Sequence, residues 1–257
     1  MFRFLIKKAF FDIWDNFLPI ILMNIAGVFL VIGFFLLPSL LGIHDVFLIP
    51  YAVPYIILLN FFFSAVSRYT LDLADFKRVG ALPFFRYLRD CWKQSLVTSA
   101  VTLVLLGFFL FILPFSLFSD SILFLAAGGL SFWLGITVLQ AAVFFLPASV
   151  RLKKPLLQSL RFAFSFVFDN TAFCFLTLLL SLLILAVSIF LVFLVPGIAS
   201  VFLFINVAFK LRLYKYYWLE AHPGADRKKI PWDELIAEDY ERVGKRTLRG
   251  MIFPWKK

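Results

Sequence analysis

The sequence predicts an all-α integral membrane protein, and three observations carry that prediction. The first is composition: of 257 residues, 63% are hydrophobic and 16% charged, with a mean hydropathy of +0.96. Soluble domains lie nearer half apolar and a quarter charged. The second is run length. The uncharged stretch 171–195 reaches about 37 Å as a helix, enough to cross a bilayer with some tilt. The third is charge placement. All 25 Lys and Arg fall in the N-terminal stretch, in 68–94, in 151–161 and from Lys210 onward. The other turns contain none.

The elements follow in order. Residues 1–16 are amphipathic, with Phe10, Phe11 and Trp14 among Lys7, Lys8, Asp12 and Asp15, and suit the headgroup plane. The first apolar run ends without a small-x-small cleavage pattern and reads as a retained signal anchor. Spans are expected at about 17–37, 46–66, 95–118, 122–147, 170–195 and 198–213. Pro50 and Pro54 predict a kinked or irregular first half for the second. Gly128, Gly129 and Gly135 suit close helix approach in the fourth.

The sixth span is the shortest, because Lys210 interrupts it. Residues 170–209 as a single helix would be about twice the hydrocarbon thickness, so a turn at Pro196-Gly197 is required. Lys210 and Arg212 would then snorkel while Tyr214, Tyr216, Tyr217 and Trp218 occupy the interface. Residues 1–218 thus form the membrane domain. Residues 219–257 form an amphipathic tail too short for a core of its own. By the positive-inside rule both termini and the two long connectors are cytoplasmic, which requires an even number of crossings.

The spans also read as three units, each an interfacial helix plus a hairpin. Trp14-Asp15-Asn16, Trp92-Lys93-Gln94 and Phe168-Asp169-Asn170 open the units, 78 and 76 residues apart. A proline follows each (Pro38, Pro114, Pro196), and the second helix of each carries one amide: Asn60, Gln140 and Asn206.

The chemistry is narrow. There is no HExxH, no Walker loop and no GxSxG. His44 and His222 fall on opposite faces and cannot form one site. Ser95, Ser99, Ser181 and Ser188 have no histidine at their depth to activate them. Cys91 and Cys174 form no CxxC. The sequence therefore predicts no enzyme, no metal site and no cofactor. A carboxylate cluster of Asp12, Asp90 and Asp169 at the inner interface is the alternative, although acids at helix starts also serve as caps and dipole partners. Nucleic acid is not expected, since the bases alternate with apolar spans and suit anionic headgroups.

Two groups of candidate site residues remain. Asn24, Asn60, Gln140 and Asn206 are the polar side chains at depth. They either line a solute path or make interhelical hydrogen bonds of about 0.6–2 kcal/mol each. With no buried charge, a proton relay is not expected. In the tail, Trp232, Tyr240, Phe253 and Trp255 are candidate contacts to a partner or to the membrane surface. Ile236, Tyr240 and Val243 form its one apolar stripe, which could also dock on the protein's own cytoplasmic face.

The short N-terminal segment, Leu37-Pro38-Ser39 closing the first span, Phe84-Phe-Arg-Tyr-Leu-Arg-Asp-Cys-Trp-Lys-Gln-Ser95, the basic lead-in to the fifth span and the closing Phe253-Pro-Trp-Lys256 resemble the bacterial YesL family of small six-span membrane proteins. The resemblance implies a multi-pass protein of the cytoplasmic (inner) membrane. It also implies an accessory role beside carbohydrate uptake systems, with an ABC-type sugar importer as a partner. Together with the lipid bilayer as the other partner, two functional readings stand. One is a non-enzymatic accessory or partner-binding subunit of a membrane complex; the other is a small-solute transporter or channel.

The topology has a direct test. Single cysteines at positions 44 and 120 are expected to react with an impermeant thiol reagent from outside the cell, and cysteines at 78, 154 and 245 only after lysis. External labelling of the second set overturns the orientation.

Overall fold

Backbone amides within a bilayer can bond only to one another, so apolar runs become helices. The computed structural model describes residues 1–80, 82–119, 121–227 and 229–246, and within them the chain is helical without a strand. The helices are α1 (Phe2–Asp15), α2 (Phe17–Leu40), α3 (Leu48–Ala74), α4 (Leu82–Asp90), α5 (Trp92–Gly107), α6 (Leu113–Leu117), α7 (Ile122–Arg151), α8 (Leu156–Asp169), α9 (Thr171–Phe190), α10 (Ile198–Ala221), α11 (Trp232–Leu235) and α12 (Ala237–Val243). A 3-10 turn, Asp45–Phe47, leads into α3, and a π-helical segment, Phe108–Ile112, joins α5 to α6. Five helical stretches are long and apolar enough to cross a membrane: Phe17–Leu40, Asp45–Ala74, Trp92–Leu117, Ile122–Arg151 and Thr171–Phe190. The chain is a multi-pass membrane protein.

An amphipathic helix runs into each of α2, α5 and α9 across a single non-helical residue. These residues are Asn16 (φ −117°, ψ 33°), Cys91 (φ −95°, ψ 11°) and Asn170 (φ −135°, ψ 37°). At two of the three breaks a side-chain amide caps the preceding helix. Asn16 Nδ2 donates to the Asp12 carbonyl at 2.8 Å and Asn170 Nδ2 to the Phe166 carbonyl at 3.0 Å, the latter shared with the Asn170 backbone N–H.

The boundaries depart from expectation in three places. First, α3 runs through both of its prolines without a break. Pro50 stands in the first turn, where the missing N–H has no helical acceptor in any case. Second, the fifth apolar run stops being helical at Phe190, not 195. Val192 and Phe193 take positive φ (52° and 56°), and the Phe193 N–H closes the helix on the Ser188 carbonyl at 2.7 Å. Third, α10 continues past 213 to Ala221, because the charges in its second half are paired, as described below.

Helix α10 organises the molecule. It packs against α1, α2, α3, α7 and α9, and buries nearly every residue from Ala199 to Phe209. Its uncharged part, 198–209, is only about 18 Å long. Every eighteen-residue window of it includes Lys210, Arg212 and Lys215, so it falls outside the long apolar helices. It starts at mid-depth: the Ala199 N–H donates to Asn24 Oδ1 at 2.8 Å, while α2 runs on from Asn24 for about 24 Å. The gap between α9 and α10 is bridged by the non-helical residues 191–197, which include a cis Val195–Pro196 bond.

Burial follows from this short helix. Buried residues of α2 are Ile20, Asn24 and Gly27, and those of α3 begin only at Phe62. Toward the turns the hairpins close on themselves. Tyr55 Oη donates to the Leu30 carbonyl at 2.9 Å, and Gly33 leaves room for the same phenol. Gly128 lets α7 approach Ser116 of α6, and Gly135 accommodates the rings of Phe108 and Phe109, whereas Gly129 faces open space. The molecule is therefore joined at the end carrying α1 and the tail, and splayed at the end carrying the turns. Large apolar side chains such as Phe29, Phe35, Phe111 and Phe115 are exposed there, as suits a lipid-facing surface.

Asn24 holds the non-helical stretch from both sides: Nδ2 donates to the Leu194 carbonyl at 2.8 Å, and Oδ1 accepts from Ala199. A Cβ at position 197 would collide with the Asn24 side chain and the Phe193 carbonyl, so glycine is required there. Asn24→Ala leaves the buried Ala199 N–H and the part-buried Leu194 carbonyl unpaired, at about 1–3 kcal/mol for a buried group. The variant is expected to lose about 2–4 kcal/mol, read as a lower unfolding midpoint in detergent, while Asn60→Ala, which frees no backbone group of another helix, loses less.

Candidate functional site: a mid-depth cavity beside a buried ion cluster

Because α10 starts at mid-depth, space remains beside it between the other helices. A cavity of about 670 Å³ lies there. Every long helix contributes to its wall: Val31 from α2, Asn60 from α3, Thr102 from α5, Val143 from α7, Leu185 from α9 and Phe202 from α10. It also meets the π segment at Phe109 and the non-helical stretch at Phe193. Its polar groups are Asn60, Thr98 and Thr102. Thr102 Oγ1 donates to Asn60 Oδ1 at 3.3 Å, and Asn60 Nδ2 returns to the Ile56 carbonyl at 2.9 Å. A volume of this size suits a small ligand, and the lining suits a mostly apolar one.

The four polar residues expected at depth do not converge. Asn60 lines the cavity, whereas Asn24 ties down residues 194–199. Asn206 is fully buried between α10 and α3, donating to the Ser67 carbonyl at 2.9 Å and to Thr70 Oγ1 at 3.0 Å. Its Oδ1 is buried without a hydrogen-bond partner, as are the hydroxyls of Ser64 and Ser200. Gln140 is buried on α7 and does not line the cavity. Ser95, Ser99, Ser181 and Ser188 each donate to the carbonyl four residues back, an ordinary use of a hydroxyl along a helix.

At the joined end lies an ion cluster that hydropathy did not reveal. Lys210 Nζ donates to Asp239 Oδ1 at 2.9 Å and to the Ala74 carbonyl at 3.2 Å, and stands 3.5 Å from Asp75. Arg151 grips Asp75 with two bonds of 3.1 Å. Lys8 bonds Asp12 at 2.9 Å and approaches Asp239 to 3.7 Å; Tyr214 Oη donates to Asp239 at 2.7 Å. Phe76 sits among the cations, its ring 3.5 Å from Lys8 Nζ and 5.2 Å from Lys210 Nζ. Those contacts hold it at φ 57°, a conformation bulky residues seldom adopt. The cluster joins α1, α7, α10, α12 and the end of α3. Its one advance signal was Lys210, the charge that cut the sixth apolar run short.

Asp12, Asp90 and Asp169 are not brought together. Asp12 belongs to Lys8, Asp90 lies 3.7 Å from Arg89, and Asp169 accepts from Tyr216 at 2.6 Å and Lys215 at 3.1 Å. Among the described residues, no group of three or more His, Cys, Asp or Glu side chains is arranged to hold a metal. In the tail, Trp232 lies under the Arg212 guanidinium at 5.4 Å and Tyr240 packs on Phe4 at 5.6 Å, with Lys7 5.1 Å from its ring. Ile236 and Val243 are buried, so this stripe docks on the protein's own helices. Phe253 and Trp255 lie outside the described residues, as does Asp120. No known protein family, curated protein or solved structure matches the chain.

Burial sets the electrostatics of the cluster. It pushes the Asp12 carboxyl up to about 6 from an ordinary 3.8, against the opposing pull of Lys8 and Lys210. Burial likewise lowers Lys8, so both partners lean toward neutrality. Asp239 is also buried, yet Lys210, Tyr214 and Lys8 hold it below the usual carboxylate range. Between its unfolded value and about 6, Asp12 carries more proton in the folded chain than in the unfolded one. Its contribution to stability is therefore present at acid pH and lost as pH rises through about 6. Acidification from pH 7.5 to 5 is expected to stabilise the wild type relative to Asp12→Asn by about 1 kcal/mol. Parallel detergent melts of the two proteins across that range check it; a constant gap between them refutes the assignment.

Proposed function

We propose that the chain crosses the bacterial inner membrane six times, with both termini cytoplasmic, and serves as a non-enzymatic accessory subunit that binds another membrane protein. The sixth crossing is made by residues 191–197 together with α10. The grouping into three helix-plus-hairpin units is supported by the single-residue breaks at Asn16, Cys91 and Asn170.

The splayed end carries the binding reading. The hairpins α2–α3 and α6–α7 pair internally there, and leave Phe35, Leu36, Phe115, Phe118 and Leu130 exposed. In a bilayer, helices associate through side-chain packing and interhelical hydrogen bonds, so two diverging helix pairs form a seat for a partner's helix. The ion cluster at the other end holds them at a fixed spread. The link to a sugar importer rests on the resemblance to the YesL family. A second reading, a small-solute transporter or channel, draws on one observation: the cavity borders both a π segment and a non-helical stretch at mid-depth. Such interruptions accompany binding sites in transporters.

A photoreactive amino acid at Phe35 or Phe115, illuminated in native membranes, separates the two. The expected result is that both positions capture the same integral subunit of a solute importer, while the same group at Leu157 does not. Lipid adducts alone at both positions would refute the accessory role. Sugar flux into proteoliposomes holding only this protein would establish the second reading.

A further inference from the structure

A second apolar hollow, separate from the central cavity, opens where α4 stands off the bundle. It has a volume of about 500 Å³ and lies between Leu18, Leu22 and Ala26 of α2, Phe62 and Tyr69 of α3, and Phe85 of α4. No residue of α4 is buried, so the helix acts as a wall and not as part of the core. It is nevertheless held firmly. Tyr87 Oη donates to Asp72 at 2.7 Å, the Phe84 ring meets Phe62 at 5.7 Å, and Arg68 lies 5.5 Å from the Tyr87 ring. Residues 77–79 are fixed as well: Tyr69 Oη donates to the Val79 carbonyl at 2.7 Å and Lys77 bonds Asp72 at 2.7 Å. The hollow is thus built into the fold.

Its depth and charge identify the occupant. From Leu18 to Ala26 the groove extends about 12 Å along α2, close to one leaflet's share of a hydrocarbon core about 30 Å thick. Its outer end lies beside the break at Asn16 and the Val79–Gly80 loop. Arg78 adjoins the lining residue Val79 in that loop, and Arg86 follows the lining residue Phe85 on α4. Both are exposed, and neither has an ion-pair or hydrogen-bond partner among the described residues. Leu82, Phe85, Arg86 and Arg89 share one exposed face of α4 by helical spacing. We propose that this groove is a binding site for one anionic phospholipid. An acyl chain fills the space between α2, α3 and α4, and the headgroup phosphate lies against Arg78 and Arg86. Free cations beside an apolar slot of leaflet depth select an anionic amphiphile over a zwitterionic one.

Native mass spectrometry of the full chain, released from mixed phosphatidylglycerol and phosphatidylethanolamine of identical acyl composition, tests the site. Wild-type protein is expected to retain one phosphatidylglycerol in preference to phosphatidylethanolamine. The double variant Arg78→Ala/Arg86→Ala is expected to lower that preference roughly tenfold, and Arg89→Ala to leave it unchanged, because Arg89 already lies beside Asp90. Ala26→Trp, which fills the groove, is expected to abolish retention of both lipids while keeping the wild-type unfolding midpoint. The proposal is overturned if the double variant retains the anionic lipid as the wild type does. It is also overturned if Arg89→Ala matches the double variant, which would mean a diffuse surface attraction, or if Ala26→Trp folds normally and still holds the lipid.

Discussion

Lys210 carries its charge on the most deeply packed helix of the molecule, and that charge must be neutralised where it stands. Leaving a buried ammonium unpaired costs several kcal/mol, so its neighbours are drawn to it. Asp239 arrives from the tail, Asp75 and the Ala74 carbonyl from the end of α3. Each newcomer brings a further need. Asp75 recruits Arg151 from the end of α7, and Asp239 recruits Tyr214 and Lys8. The result is a network in which positive and negative side chains alternate around the Phe76 ring. It fastens together segments that hydrophobic packing alone would leave free to slide.

The same placement shapes the opposite end. A helix whose second half is committed to the ion cluster has only about 18 Å of apolar length left. It cannot reach the turns that α2, α3 and α7 reach. Residues 191–197 make up the difference, and irregular backbone at that depth is tolerated only where protein groups satisfy it. Asn24 does so from α2. Above that stretch the hairpins have no sixth helix to pack on. They diverge, and the central cavity and the exposed apolar tips both result from it.

Three regions of the molecule thus hold separate tasks. The ion cluster is structural, since its charges are mutually paired and largely buried. The central cavity and splayed tips are the regions on which the two proposed readings rest. The groove beside α4 lies next to the basic connector, and Arg78 and Arg86, without a partner among the described residues, set it apart from the cluster, whose charges are paired. Tail residues Ile236, Asp239 and Val243 are buried against the helices, while Trp232 lies beside Arg212 and Tyr240, half exposed, rests on Phe4 and Lys7.

By itself, the sequence determined what neighbouring residues can report. Hydropathy and run length located the apolar helices; the aromatic-acid-amide signatures at Asn16 and Asn170 marked the breaks before α2 and α9; Pro196-Gly197 marked the turn before α10. These are local properties, set by a few consecutive side chains and the length of a helix relative to a bilayer. Only the tertiary structure decided how Lys8 meets Asp239, how Asn24 meets Ala199, and that α10 would be the core and not one more lipid-facing span. A polar side chain in an apolar run must find a partner, but nothing in its own segment says which one. That choice is made by distant elements once packing has fixed their depth and rotation, and so Asn24, Asn60 and Asn206, alike in sequence, ended in three different roles.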